Sequence, residues 1–159
     1  MKDWQDELYH FIRLCNQHGV RMLLVGGGAV NFHGYQRNSN DLDFWLETTA
    51  VNFEKLVSVF KAMEYEIEDF PEEVKQGMQN ISITFAPLGL NLELLTNFSV
   101  GERFDNAYDK AEIAIRNNEP ELSWRVLSYE HLIASKLKSG RPKDLTDISE
   151  LQKRNKNQP

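Results

Sequence analysis

The chain has 159 residues, which is enough for one compact domain with a buried core. Hydrophobic residues make up 41% and charged residues 26%, a balance that excludes a disordered chain and predicts no association with a membrane. The single cysteine, Cys15, excludes an internal disulfide framework, and its position on an apolar helix face predicts a core residue. Because the N-terminus lacks an apolar secretory stretch, we expect a reducing, cytoplasmic setting.

The charge is unevenly distributed along the chain. The formal net charge is −6, yet residues 136–159 contain seven basic and three acidic side chains. An acidic body with a basic C-terminal segment indicates a site that separates cations from anions, for example a metal from a phosphate. A solvated last helix with a frayed tail explains the same pattern without a site.

Apolar periodicity predicts alternating helices and strands in the first half of the chain. In order, these are a helix over 4–18, a strand over 21–25, a short helix over 28–34, a strand over 41–47 and a helix over 51–63. A run of three glycines at 26–28 ends the first strand before the short helix begins.

The second half of the chain opens with an acidic stretch, 64–79, for which we expect a strand end, a loop and a helical turn. Alternating residues predict strands over 81–85 and 90–95, joined as a hairpin by a turn at 87–89, and a further short strand over 112–116. Ser128 is a suitable N-cap for a helix that runs to Leu137. A break at 140–142 precedes a last helix over 143–154.

Interleaved strands and helices with an antiparallel strand pair predict an α/β (α+β) fold, a mixed β-sheet flanked by helices with further helices at the C-terminus. We expect a single domain over 1–159. Within it, residues 1–127 form the sheet core with its N-terminal helix, 128–154 form a C-terminal helical segment, and 155–159 form a frayed tail.

Three acidic residues are candidates for a metal site. Asp41 and Asp43 stand two residues apart on a predicted strand, so their side chains point to the same face, and Asp disfavours strands without a reason. Glu93 is a lone charge in the apolar strand 90–95 and would join the aspartates if the two strands were neighbours. Three converging carboxylates suit two Mg²⁺ ions that align a nucleophile with a phosphate. Solvated acids on an exposed strand face are the alternative.

The glycine run is a candidate phosphate-binding turn, because bare backbone N–H groups at a strand-to-helix junction can hold an anion. Gly26 and Gly28 fit a dinucleotide-binding fingerprint, but residue 31 is Asn where that pattern requires a third glycine. A small Rossmann-like binding domain is therefore a weaker alternative, and a tight turn without ligand is a third interpretation.

Basic residues flank these acids in the sequence. Arg37 precedes Asp41 by four residues and could orient a phosphate, whereas His33 is better explained as a hydrogen-bonded residue that closes the short helix. Lys136 is a candidate triphosphate contact at the end of one predicted helix. Asp144 and Asp147 lie near the start of the next helix, where acids are common because they complement the helix dipole.

The string from Gly26-Gly27 through His33-Gly34 and Arg37 to Asp41-Leu-Asp43 resembles the signature of the nucleotidyltransferase fold superfamily. It is most similar to the minimal bacterial nucleotidyltransferases and the AbiEii-type toxins of abortive-infection systems. The segment from Lys136 to Asp147 also resembles the corresponding segment of the AbiEii-like branch. Two departures from the family pattern are Glu93 in place of the more frequent Asp, and Ser39 in place of Thr.

This resemblance implies a nucleotidyltransferase-like sheet domain that transfers an NMP from an NTP to an acceptor hydroxyl on RNA, a protein or a small molecule. Asp41, Asp43 and Glu93 would be catalytic and would hold Mg²⁺ or Mn²⁺. The nucleotide would be bound by six further residues: Gly26, Gly27, Arg37, Ser39, Lys136 and Asp144. Expected partners are the NTP, the acceptor, and either an antitoxin or a second copy of the chain. A non-catalytic relative that binds nucleotides or a partner protein remains the alternative.

Overall fold

The structure is a computed structural model that describes residues 4–36, 41–85 and 90–156. Its elements are, in chain order, α1 (Trp4–His18), β1 (Met22–Val25), α2 (Gly26–Phe32), β2 (Asp41–Leu46), α3 (Ala50–Ala62), α4 (Glu72–Lys75), β3 (Ile81–Phe85), β4 (Leu90–Leu95), α5 (Phe104–Asp109), β5 (Glu112–Arg116), β6 (Glu119–Val126), α6 (Tyr129–Ser139) and α7 (Pro142–Lys156). The predicted turn at 87–89 and residues 157–159 of the predicted tail lie outside the described residues, as do Arg37 and Ser39.

The six strands form one mixed sheet in the order β3-β4-β2-β1-β6-β5. Two neighbouring pairs, β2 with β4 and β1 with β6, are parallel, and the other three pairs are antiparallel. The predicted fold class, a mixed sheet flanked by helices with C-terminal helices, is therefore confirmed.

Residues alternate between the two faces of the sheet. Leu24, Phe44 and Leu92 lie on the face that packs against α1, which in turn contacts α3, and they are almost fully buried. The opposite face contains Trp45, whose ring packs against Phe98 and Phe104. Towards the start of β2, the positions of β2 and β4 on this second face are polar and include the candidate acids.

Two elements have no counterpart in the predicted set. The strand β6 contains Pro120, which cannot donate to a β-ladder, and the pairing with β5 is irregular next to it. Ser123 donates to the Pro120 carbonyl across this irregularity, at 2.7 Å. The helix α5 is only six residues long, too short for an apolar period to be recognised.

The helices α2 and α7, which border the candidate site, have other bounds in the structure than the sequence predicts. The helix α2 begins directly at Gly26, not at residue 28, so the glycine run is the first turn of the helix. The helix α7 begins at Pro142, a residue type that suits the first helical position, and continues to Lys156 into the segment predicted to fray.

Candidate active site

The sheet brings Glu93 next to the two aspartates. The parallel pairing of β2 with β4 sets Asp43 opposite Glu93 and Asp41 opposite Asn91. Residues in register on neighbouring strands point to the same face, so Asp41, Asp43 and Glu93 share one polar surface, which we call the carboxylate face. The two strands are thus neighbours, which is the condition under which Glu93 can join the aspartates.

Side chains of β3 and β4 extend the carboxylate face in two cross-strand rows. In the first row, Thr84 Oγ1 donates to Asn91 Oδ1 at 2.9 Å, and Asn91 Nδ2 donates to Asp41 Oδ1 at 3.1 Å. In the second row, Ser82 donates to Glu93 Oε1 at 2.8 Å. Asn91 and Ser82 are not among the predicted site residues, although both occupy alternating polar positions of their strands.

Asp43 has a raised pKa. Its partial burial raises the pKa of its carboxyl, and the neighbouring charges of Glu93 and Asp41 raise it further, while Lys136 and Lys143 act in the opposite direction. A cation bound among the three carboxylates would remove this repulsion, and oxygen-only donors suit Mg²⁺. The chemistry of the donor set therefore fits a divalent cation.

The carboxylates do not form a ready-made metal cluster. Among the described residues, no group of three or more acidic, histidine or cysteine side chains is gathered closely enough to hold a metal ion. One reason is that Glu93 Oε1 accepts its hydrogen bond from Ser82, on the side of β4 away from β2. Binding of a metal by all three acids requires their side chains to converge.

Gly26 lies against the carboxylate face. Its φ of +60° is a left-handed conformation, and a Cβ atom at this position would lie 2.8 Å from Asp43 Oδ2. Only glycine permits both the conformation and the approach. Gly28 has a packing explanation, since a Cβ there would lie 2.9 Å from Leu24 Cδ1.

A groove of about 410 Å³ opens next to Asp43 and Gly26. Its far wall comes from the hairpin formed by α6 and α7 and includes Lys136 and Arg141. The structure thus brings Gly26, Asp43, Lys136 and Asp144, four of the predicted site residues, to a single groove. Glu93 and Asp41 do not line this groove and lie on the sheet surface next to it.

The groove wall is organised by a buried cluster of ions. Lys136 Nζ lies 3.2 Å from Asp144 Oδ1 and 3.0 Å from Asp147 Oδ2, and all three residues are almost completely buried. Asp144 Oδ2 also accepts from Arg141 Nε at 2.7 Å. Burial alone would raise the pKa of Asp144, but the hydrogen bonds from Arg141 and Lys136 outweigh it and lower the pKa to about 2.

Asp144 therefore contacts Lys136 and Arg141, the basic residues of the groove, and its own side chain is fully buried. Arg141, whose side chain is 57% exposed, was not among the predicted site residues. A signal for the inward direction of the acids was present in the sequence: Asp144 and Asp147 share helical spacing with the buried residues Ile148 and Leu151.

His33 and Cys15 have structural roles, as predicted. The His33 ring shares a hydrogen bond of 2.8 Å with the Leu127 carbonyl oxygen and ties the end of α2 to the start of α6. Burial raises the pKa of the Cys15 thiol, which keeps it protonated and unreactive.

In the described part of the chain, no helix is long and apolar enough to span a membrane.

Comparison with known proteins identifies the family of the chain. None of the curated proteins matches the chain significantly. The family model described as "Nucleotidyl transferase AbiEii toxin, Type IV TA system" matches residues 9–159, nearly the whole length. The chain therefore belongs to the AbiEii family of nucleotidyl transferase toxins from type IV toxin–antitoxin systems.

Proposed function

We propose that the protein is a Mg²⁺-dependent nucleotidyltransferase that moves an NMP from an NTP to an acceptor hydroxyl. The observation that carries this proposal is the register of Asp43 with Glu93 on parallel neighbouring strands, next to the close approach of Gly26. Membership of the AbiEii family supports nucleotidyl transfer as the general reaction.

In this proposal, Asp41, Asp43 and Glu93 would hold Mg²⁺ or Mn²⁺. A bound divalent ion supplies charge neutralisation for the phosphates and a lowered pKa for the acceptor hydroxyl. The raised pKa of Asp43 supports this assignment. Part of the shift comes from the repulsion between Asp43 and the charges of Glu93 and Asp41, and a bound cation would remove that repulsion. Asn91 would steady Asp41 through the hydrogen bond that it donates, whereas Glu93 would leave Ser82 to reach the metal.

The groove between Asp43 and the α6–α7 hairpin is the proposed triphosphate site. Gly26 and Gly27 would offer backbone N–H groups from one side, and Lys136 with Arg141 would face the phosphates from the other. Asp144 would contribute indirectly, by fixing Lys136 and Arg141 through its two carboxylate oxygens. The family resemblance assigns further nucleotide contacts to Arg37 and Ser39.

The proposed reaction is a single in-line displacement. The acceptor oxygen forms a bond to the α-phosphorus, the bond to the β-phosphate oxygen breaks, and pyrophosphate leaves with the electron pair. The acceptor's proton passes to the carboxylate face or to solvent. The chain contributes mainly by positioning the two reactants and by balancing the charge that develops on the phosphates.

Transfer of a labelled nucleotide tests this function. The purified protein is incubated with each α-labelled NTP, Mg²⁺ and three classes of acceptor: total RNA, protein extract and small hydroxyl compounds. We expect label on one class, and loss of labelling in Asp43→Asn. Asp109→Asn is the matched control, because Asp109 is exposed on α5 and takes no part in the carboxylate face. Equal labelling by Asp43→Asn and wild type would reject the assigned role.

A non-catalytic relative is the second candidate, and the hydrogen bond between Glu93 and Ser82 favours it, because that bond points the third acid away from Asp43. Thermal shift separates the two candidates. A transferase is stabilised by an NTP only when Mg²⁺ or Mn²⁺ is present, whereas a binding protein responds without a metal or does not respond. In either case we propose an antitoxin as the macromolecular partner, since the family belongs to toxin–antitoxin systems.

A further inference from the structure

The strand β5 is the outer strand of the sheet at the end opposite β3, and no described strand pairs with its free edge. None of its five residues is buried. Ile113 and Ile115, which point to the same face, are each 57% exposed. An exposed edge that carries apolar side chains is a template for pairing with another chain.

The sequence of β5, Glu-Ile-Ala-Ile-Arg, is complementary to itself when two copies run antiparallel. With Ala114 of both copies at the centre, Glu112 of one copy lies opposite Arg116 of the other, and this pair occurs twice. Ile113 of one copy lies opposite Ile115 of the other, so four isoleucines form one continuous apolar patch. Opposite charges and apolar residues directly across an antiparallel pair are both favourable.

We propose that β5 pairs with β5 of a second copy, antiparallel about a two-fold axis at Ala114, to form one continuous sheet of both copies. The charges at the two ends of the strand make a second copy the best-matched occupant, because the antiparallel register satisfies every position of β5 at once. Such an isologous contact closes on itself and does not propagate into fibres.

Existing contacts of the two charged residues leave room for this pairing. Glu112 lies 3.7 Å from His33 Nδ1, and its side chain remains 56% exposed. The Arg116 guanidinium lies 5.8 Å from the ring centre of Tyr9, a weak contact at the surface. The His33 side chain is nearly buried, but its 3.7 Å separation from Glu112 is long for an ion pair, so both Glu112 and Arg116 can turn towards a second strand.

The size of the contact predicts a weak dimer. Pairing along five residues buries less than the roughly 1,200 Å² of a standard stable interface, so association depends strongly on concentration. Two strands, β1 and β6, separate β5 from β2 in the sheet, so the carboxylate face lies outside the contact. The proposal is thus independent of the proposed transferase function.

Charge reversal tests the register directly. Sedimentation of wild type over a concentration series is expected to show a monomer–dimer equilibrium. Glu112→Arg puts Arg opposite Arg, and Arg116→Glu puts Glu opposite Glu, so each variant alone should weaken dimerisation about tenfold or more. Glu68→Arg, at an exposed position outside β5, is the matched charge control and should dimerise like wild type.

Mixing the two single variants is the decisive measurement. Glu112→Arg and Arg116→Glu complement each other in the antiparallel register, so native mass spectrometry of the mixture should show a heterodimer. Circular dichroism checks that each variant is folded, and Ile115→Lys provides a second disruption that removes apolar contact. A wild type that stays monomeric at all concentrations overturns the proposal, as does a dimer that survives both reversals. Weakened single variants that fail to form the heterodimer also overturn it.

Discussion

Gly26 offers the sharpest test of how the chain holds Asp43. Alanine at this position adds a Cβ at a φ of +60°, which costs roughly 1–2 kcal/mol of folding free energy. For a chain of this size, that loss lowers the melting temperature by about 2–8 °C. The same Cβ would lie 2.8 Å from Asp43 Oδ2, so the carboxylate or the glycine backbone must move.

The loss of folding stability and the displacement of Asp43 are measured by different assays. Gly19→Ala is the matched control, because Gly19 also has a positive φ, +72°, but its Cβ would meet only the flexible end of Lys55 at 3.6 Å. We expect similar losses of melting temperature in both variants. Displacement of a catalytic group by a fraction of an ångström costs roughly ten- to a hundredfold in rate, so only Gly26→Ala should lose nucleotide transfer to that extent. Equal transfer by Gly26→Ala and Gly19→Ala would refute the importance of this contact.

Three further predictions concern the acids. Asp144→Asn should lower the free energy of unfolding by roughly 2 kcal/mol at neutral pH, since the pKa of Asp144 falls from its ordinary 3.8 to about 2 on folding. That stability is present above pH 4 and is lost as the pH falls towards 2, so urea unfolding over this range should show the variant and wild type converging. Asp43→Asn should instead raise the melting temperature in EDTA, because the raised pKa of Asp43 means that its charge opposes folding at neutral pH; an unchanged or lower value would contradict this. Asn91→Ala removes the hydrogen bond to Asp41 and should weaken Mn²⁺ affinity, measured by electron paramagnetic resonance, by roughly ten- to a hundredfold, while unchanged affinity would show that Asn91 does not steady the metal ligands.

The sheet strands next to the candidate site could be predicted because their sequences alternate cleanly. Asp41-Leu-Asp43 and Leu-Asn-Leu-Glu93 each place polar residues on one face, and the register then follows from burial of the apolar face. The strand β6 could not be predicted, because Pro120 and the charged residues on either side of it are atypical of a strand. The pairing of β6 with β5 is also irregular near its start.

The wall of the groove was harder to read from the sequence. The family resemblance predicts Lys136 and Asp144 as nucleotide contacts, but their pairing with each other depends on how α6 and α7 pack together, which no local pattern specifies. The role of Arg141 follows from the same packing, since Asp144 holds its guanidinium at the groove. The Glu93 carboxylate reaches Ser82 because of its side-chain rotamer, and a sequence pattern does not predict rotamers.

A crystal structure with Mn²⁺ and a non-hydrolysable NTP is the most direct test of the proposed catalytic centre. We expect anomalous scattering from Mn²⁺ bound by Asp41, Asp43 and Glu93, with Glu93 released from Ser82 and the triphosphate lying in the groove beside Gly26 and Lys136. Manganese bound elsewhere, with Glu93 still hydrogen-bonded to Ser82 and the nucleotide outside the groove, would contradict it.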